Sequence, residues 1–143
     1  MESDFEKMVR DILTSTKTIA SVGVSSNPEK ESHRVVWYLK EQGYRIFPVN
    51  PTAAEVLGEK AYASLSEIPE AVDVVQVFRR PEDVPPIVEE AIKIGAKVVW
   101  MQEGIVNEEA ARMAEQAGLK VVMDACMRAA HRHFNIGPKP LTL

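Results

Sequence analysis

The chain has 143 residues, 45% of them hydrophobic and 27% charged, with a formal net charge of −4. That length suits one domain with one core, and an acidic balance without a basic run excludes a general nucleic-acid binder. A lone cysteine, Cys126, excludes an internal disulfide framework and fits a reducing compartment.

The acidic start MESDFEKM lacks the layout of a signal peptide, and no apolar run has the length to cross a bilayer. The expectation is a single cytoplasmic domain over 1–143, with no membrane partner. Residues 4–15 read as an N-terminal helix within 1–16, since Phe5, Met8, Val9, Ile12 and Leu13 recur at helical spacing. The apolar run TIASVGV (18–24) reads as a buried strand. VVWYLKEQG (35–43) reads as a helix stopped by Gly43. YRIFPVN (44–50) is a second strand, halted at Asn50-Pro51. Residues 52–58 suggest a short helical turn, followed by a marginal strand near Ala61–Ala63.

AVDVVQVF (71–78) is a third strand. PEDVPPIVEEAIKIG (81–95) is a helix with prolines near its start and a glycine past its end. AKVVWM (96–101) and LKVVMD (119–124) are strands flanking a helix over 107–118, with Asn107 as its N-cap. CMRAAHRHF opens a terminal helix, and residues 135–143 form an extended or loosely held tail. Strands separated by helices of this length imply right-handed crossovers. The fold class is therefore α/β: a Rossmann-like, doubly wound, mostly parallel sheet of about five to six strands with helices on both faces.

Ligands of such sheets sit beyond the carboxyl ends of the strands, where strand order reverses. The first loop, VGVSSNPEKESHR, offers Gly23, which lets backbone approach a ligand, then the Ser25 and Ser26 hydroxyls and the N-terminus of the next helix. Lys30 and Arg34 stand where positive charge opposes the helix dipole, at a cost of up to about 1 kcal/mol each, and a bound polyanion would reverse that sign. The bland alternative is that Glu29 and Glu31 neutralise them. A dinucleotide fingerprint needs more glycines and an acid after the second strand, where Asn50-Pro51 stands instead; the Walker pattern is absent too. After the third strand, Phe78 offers an apolar surface and Arg79 and Arg80 offer guanidinium forks suited to phosphate, or alternatively ordinary partners for Glu82 and Asp83.

The segments VGVSSNPEKESHRV, GYRIFPVNPTAAEVLGEKAYASLSEIP, DVVQVFRR, AIKIGAKVVWMQEGIVN and AGLKVVMDACM resemble the coenzyme A-binding domain family in its small stand-alone form. That family is similar to the N-terminal domain of the succinyl-CoA synthetase α subunit. The likeness runs from about Thr18 to His131. It implies a cofactor, coenzyme A or an acyl-CoA, whose adenosine and phosphate part lies at the carboxyl edge of the sheet. Carried over by position, the phosphate loop is Gly23, Val24, Ser25, Ser26 and Asn27, with Lys30 and Arg34 beside it. Asn50 and Pro51 would line the cleft beneath, Phe78 and Arg79 would contact the nucleotide, and Met101 and Gln102 would close the far side. The resemblance implies a non-catalytic carrier, sensor or accessory protein. Ala125 and Ala130 replace the arginine and acid usual there, so no role is carried over to the DACMRAAH segment.

Cys126 is expected to be a small buried apolar residue, the alternative being contact with the ligand's thiol. His131 and His133 read as an exposed helix end, and with Cys126 they lack the spacing of a zinc set, so no metal is expected. An enzyme acting on CoA thioesters, or one using NAD, with Cys126 or His131 as the reactive group, stands as the alternative function. Trp37, Tyr38 and Trp100 read as core. Self-association, or docking to a partner enzyme, is left open.

Overall fold

A computed structural model of the chain describes residues 1–140. Helix α1 (Asp4–Ser15) leads into β1 (Thr18–Val22), α2 (Glu31–Glu41) and β2 (Arg45–Val49). A small hairpin of β3 (Glu55–Val56) and β4 (Glu59–Lys60) follows. The chain continues through β5 (Val74–Val77), α3 (Val84–Lys93), β6 (Val98–Met101), α4 (Glu108–Gln116), β7 (Lys120–Val122) and α5 (Met127–His133). No helix among the described residues is long and apolar enough to cross a membrane.

The five longer strands pair in parallel in the order β2-β1-β5-β6-β7. The winding reverses between β1 and β5, and that is the switch point of this doubly wound sheet. Both faces are covered, which is why the strands read as continuous apolar runs rather than as alternation. Ala20, Val22, Val75, Val77, Val99 and Met101 pack with Val84, Val88, Ala110 and Ala114 of α3 and α4. Their neighbours Ile19, Val74, Val98 and Trp100 pack with Ile12, Leu13, Val35, Leu39 and Met127 of α1, α2 and α5. Each valine, leucine, isoleucine or methionine side chain so removed from water contributes roughly 1.5–3 kcal/mol before entropy is charged against it. Pro48 is tolerated because β2 is an edge strand, where a missing N–H costs no ladder bond.

Several local expectations are corrected. Residues 52–58 are not helical: Leu57 and Gly58 both take positive φ, 57° and 74°, closing the tight β3–β4 hairpin. Lys40 pins that turn, donating from Nζ to the Leu57 carbonyl at 2.7 Å and pairing with Glu59 at 3.2 Å. The marginal strand near Ala61–Ala63 is a single bridge, Val49 to Tyr62. Helix α2 begins at Glu31, ahead of the apolar run at Val35 and one residue before a start near Ser32. Ahead of it, Asn27 Oδ1 accepts the Glu29 N–H at 3.0 Å and closes a turn.

The tail is held more firmly than expected, as far as it is described; residues 141–143 lie outside the described part. The Lys139 N–H donates to the Gln42 carbonyl at 2.7 Å. Its Nζ donates to the Leu13 and Thr14 carbonyls at 2.7 and 2.9 Å, at the carboxyl end of α1. An ammonium there satisfies carbonyls that a helix end leaves unpaired.

Candidate functional site

At the carboxyl edge of the sheet, over the switch point, lies a cleft of about 340 Å³ lined by Gly23, Ser32, Phe78, Gln102 and Cys126, with the carboxylates Glu31 and Glu103 also on its wall. Gly23 has φ +89°, and a Cβ built on it would meet the Phe78 carbonyl oxygen at 3.0 Å and Arg79 Nε at 3.1 Å. Only glycine fits both that backbone and that contact. Its bare backbone lets the loops after β1 and β5 touch and lets the Arg79 side chain lie against it.

The first loop is folded by its own polar groups. The Ser25 N–H donates to Ser32 Oγ at 3.0 Å, and Ser25 Oγ accepts the Asn27 N–H at 3.0 Å. The Lys30 N–H donates to the Asn27 carbonyl at 3.0 Å. Val24 is buried, and its carbonyl accepts from Asn50 Nδ2 at 3.0 Å. Asn50 therefore braces the loop from the end of β2. With Pro51 it lines a neighbouring hollow of about 500 Å³, beside Lys60 and Tyr62, not the main cleft. Met101 is wholly buried in the core, so of the Met101-Gln102 pair Gln102 alone reaches the cleft with its side chain.

Charge at the rim is uneven. Lys30 is the N-cap of α2 and makes no side-chain cap, so the first N–H groups of α2 have no side-chain acceptor there. Lys30 and Arg34 are exposed, Arg79 is half-buried, and no ion pair among the described residues includes any of them. Arg80, by contrast, is held by Glu82 at 3.2 Å and Asp83 at 3.1 Å. Glu31 does not neutralise Lys30 or Arg34; it pairs with Arg128. Two loops and one helix end thus carry three uncompensated cations.

The far wall is built from α5 and the loops around it. Cys126 is half-buried and lines the cleft, contrary to the expected burial. Asp124 is occupied: its Oδ1 accepts the Gly104 N–H at 2.6 Å. Gln102 Oε1 accepts from Gln76 Nε2 and from the Met127 N–H, each at 3.1 Å. His131 is 2% exposed, not an exposed helix end. Its Nε2 lies 3.1 Å from the Gly137 carbonyl, which can only accept, so Nε2 carries the proton. Nδ1 then accepts from the Tyr38 hydroxyl at 2.8 Å. Burial pushes its pKa down and the Lys139 ammonium adds to that, while the bond to Gly137 partly opposes both. Both ring nitrogens are committed to the protein.

Trp100 is core, its Nε1–H donating to the Ala125 carbonyl at 2.7 Å. Trp37, expected in the core, is 52% exposed, because it stands on the outer side of α2 from Val35 and Val36. Among the described residues no group of histidine, cysteine and carboxylate side chains could hold a metal. Sequence reasoning overlooked Ser32, which braces Ser25, the Glu31–Arg128 pair, and Gln76. Only Gln76 carried a signal, as a lone amide inside an apolar strand.

A family model described as a CoA binding domain matches residues 17–132. The chain is 44% identical over 131 residues to uncharacterized protein YneT of Bacillus subtilis, covering 92% of this chain and 97% of that one. It is 29% identical to the α subunit of an ADP-forming acetate–CoA ligase II of Pyrococcus furiosus, covering 93% of this chain but 32% of that subunit. A solved structure described as a hypothetical protein from Pyrococcus horikoshii OT3 superposes with a TM-score of 0.87 at 45% identity, over 90% of each chain.

Proposed function

This chain belongs to the CoA-binding domain family, and on that premise we propose that it binds coenzyme A across the switch point. In this reading the adenosine 3′-phosphate and pyrophosphate end lies against Gly23–Asn27, Lys30, Arg34 and Arg79. Phe78 packs on the nucleotide side, and Asn50 with Pro51 supports the loop from below. The thiol-bearing arm enters the cleft toward Gln102 and Cys126, past the buried Met101. The observation that supports this reading is Arg79, in no ion pair among the described residues and lying against a Gly23 that admits no side chain, with Lys30 and Arg34 likewise in no ion pair at the start of the helix that follows the Gly23 loop. Positive charge left unpaired on folded loops costs little in water and becomes favourable once a polyanion arrives.

The role proposed is a carrier, sensor or accessory protein, with the acyl chemistry performed elsewhere. A partner enzyme that forms or consumes acyl-CoA fits the likeness to the ligase subunit. A second reading, an enzyme acting on CoA thioesters, is favoured only by Cys126 lining the cleft. His131 would not serve it as a base, with both nitrogens engaged. An NAD-dependent reading lacks an acid after β2, where the Asn50 amide is spent on Val24.

Native mass spectrometry of the purified protein and calorimetric titration with CoA and NAD test the proposal. Submillimolar CoA binding that weakens with salt is expected, and no binding of NAD. Binding of NAD in preference to CoA overturns it. Turnover of an acyl-CoA that disappears in Cys126→Ser moves the assignment to the second reading.

A further inference from the structure

Ser21 and Gln76 are fully buried in the middle of the sheet and Gln102 is 5% exposed at its edge. Polar side chains in such a place destabilise the fold unless each is bonded. Here the direction of every bond follows from one unambiguous donor. The Met127 backbone N–H can only donate, so the Gln102 atom 3.1 Å away is its oxygen. That same oxygen lies 3.1 Å from Gln76, so the facing group of Gln76 is its NH2. The Gln76 oxygen is thereby turned to the Ser21 hydroxyl, which donates to it at 2.8 Å. At the open end Gln102 lines the cleft with its oxygen already bonded twice inside. What it offers a ligand is therefore the NH2 group.

We propose that Gln76 is a positioning residue that fixes the polarity of the cleft floor: by donating to the Gln102 oxygen it keeps the Gln102 NH2 turned to the ligand. The floor then takes a carbonyl acceptor, such as an amide or thioester carbonyl of the thiol-bearing arm, and disfavours a donor at that place. A committed donor that loses its acceptor in a desolvated site costs far more than a neutral contact gains, which makes such a position selective. This inference rests on the CoA reading for the identity of the arm, though not for the polarity of the relay.

The test titrates CoA and adenosine 3′,5′-bisphosphate, which lacks the arm, into the parent protein, Gln76→Glu and Gln76→Met from acid to alkaline pH. In Gln76→Glu the protonated carboxyl presents C=O to Ser21 and O–H to Gln102, the same order as the amide. Once ionised it presents acceptors only, and Gln102 is driven to turn its NH2 inward and its oxygen to the cleft. CoA affinity of Gln76→Glu is expected to match the parent at acid pH and to fall about tenfold as the buried carboxyl ionises. The probes' own phosphate ionisations, at about pH 6 and unequal in number between the two, are removed by dividing each variant's ratio of the two affinities by the parent's at the same pH, and the bisphosphate affinity of Gln76→Glu follows the parent's. Gln76→Met, which leaves the Met127 N–H as the one remaining donor to the Gln102 oxygen, weakens CoA at every pH by less than ionised Gln76→Glu does and leaves the bisphosphate alone. Should Gln76→Glu fail to fold, the Gln76→Met ratio decides alone. An unchanged ratio in the variants, or equal losses for both probes, overturns the proposal.

If the parent binds neither probe, the CoA reading fails by itself and the relay is tested in the ligand-free protein by side-chain amide hydrogen exchange. Faster exchange of the Gln102 NH2 than of the Gln76 NH2 supports the polarity, and a protected Gln102 NH2 contradicts it.

Discussion

The Tyr38 hydroxyl on α2 donates to Nδ1 of His131 on α5 at 2.8 Å, and the opposite ring nitrogen of His131 donates to the Gly137 carbonyl. One neutral imidazole therefore ties α2, α5 and the C-terminal arm together. It is surrounded by the Tyr38 and Tyr44 rings and the Lys139 ammonium, with Arg132 lying over Tyr38. No carboxylate is paired with it among the described residues, so nothing there welcomes a second positive charge.

That arrangement sets a pH dependence. The folded pKa of His131 lies below its ordinary value, chiefly through burial. The unfolded chain then binds more protons, so stability is fully present above about pH 6.5, the unfolded value, and is lost as pH falls toward the depressed folded value. Thermal unfolding followed across this window should show a falling midpoint in the parent. His131→Gln, which supplies a donor and an acceptor in a neutral amide but cannot titrate, should start less stable and show a shallower fall. Parallel profiles for the two proteins contradict the assignment.

Lys139 is the second anchor of the arm. Its Nζ caps the Leu13 and Thr14 carbonyls and lies 4.6 Å from the centre of the Tyr44 ring. Lys139→Met keeps most of the stem's packing but takes this donor from the Thr14 carbonyl and leaves the Leu13 carbonyl with the Tyr44 hydroxyl alone. The expected cost is about 1–3 kcal/mol in chemical denaturation, with faster amide exchange at Lys139, whose N–H is bonded to Gln42. No change in either measurement would show that the arm is passive.

Gly23→Ala places a methyl against the Phe78 carbonyl oxygen on a backbone of positive φ. Strain of about 1–2 kcal/mol is expected from the conformation and the contact together. Because the loops after β1 and β5 must part to admit the methyl, CoA binding should fall more steeply than stability does. Calorimetry beside denaturation separates the two. A variant that loses stability but binds normally would remove Gly23 from the site.

Arg79 and Arg80 are neighbours with different fates, the first in no ion pair among the described residues and the second held by Glu82 and Asp83. Arg79→Ala should weaken CoA about tenfold and flatten the dependence of affinity on salt, since a charge-assisted bond to phosphate is lost. Arg80→Ala should leave both within experimental scatter, because its charge is already compensated at the surface. The reverse ranking contradicts the placement of the nucleotide.

The legible part of the fold was the part governed by local pattern. Strands buried on both faces announced themselves as apolar runs, and Asn107 capped its helix as expected, its Oδ1 accepting the Ala110 N–H at 2.9 Å. The hairpin at Leu57-Gly58 was missed because its turn is stabilised from outside, by Lys40 on α2. His131 looked like a surface residue because its burial comes from the returning arm, a long-range event that spacing does not encode. For the candidate site, topology tells where the loop after β1 and Arg79 after β5 lie, at the carboxyl edge of the sheet, but not what they bind. The distinction between Arg79 and Arg80, the brace from Asn50 to Val24 and the relay through Gln76 depend on side-chain directions that only the folded chain supplies.

The most direct measurement compares the affinities for CoA and dephospho-CoA, which differ by the 3′-phosphate alone, in the parent and in the Lys30→Ala/Arg34→Ala double variant. The account predicts that the parent prefers CoA by about tenfold or more, as expected for phosphate oxygens meeting unpaired cations, and that the double variant binds the two alike. A parent that does not distinguish the two ligands, or a double variant that keeps the full preference, would contradict it.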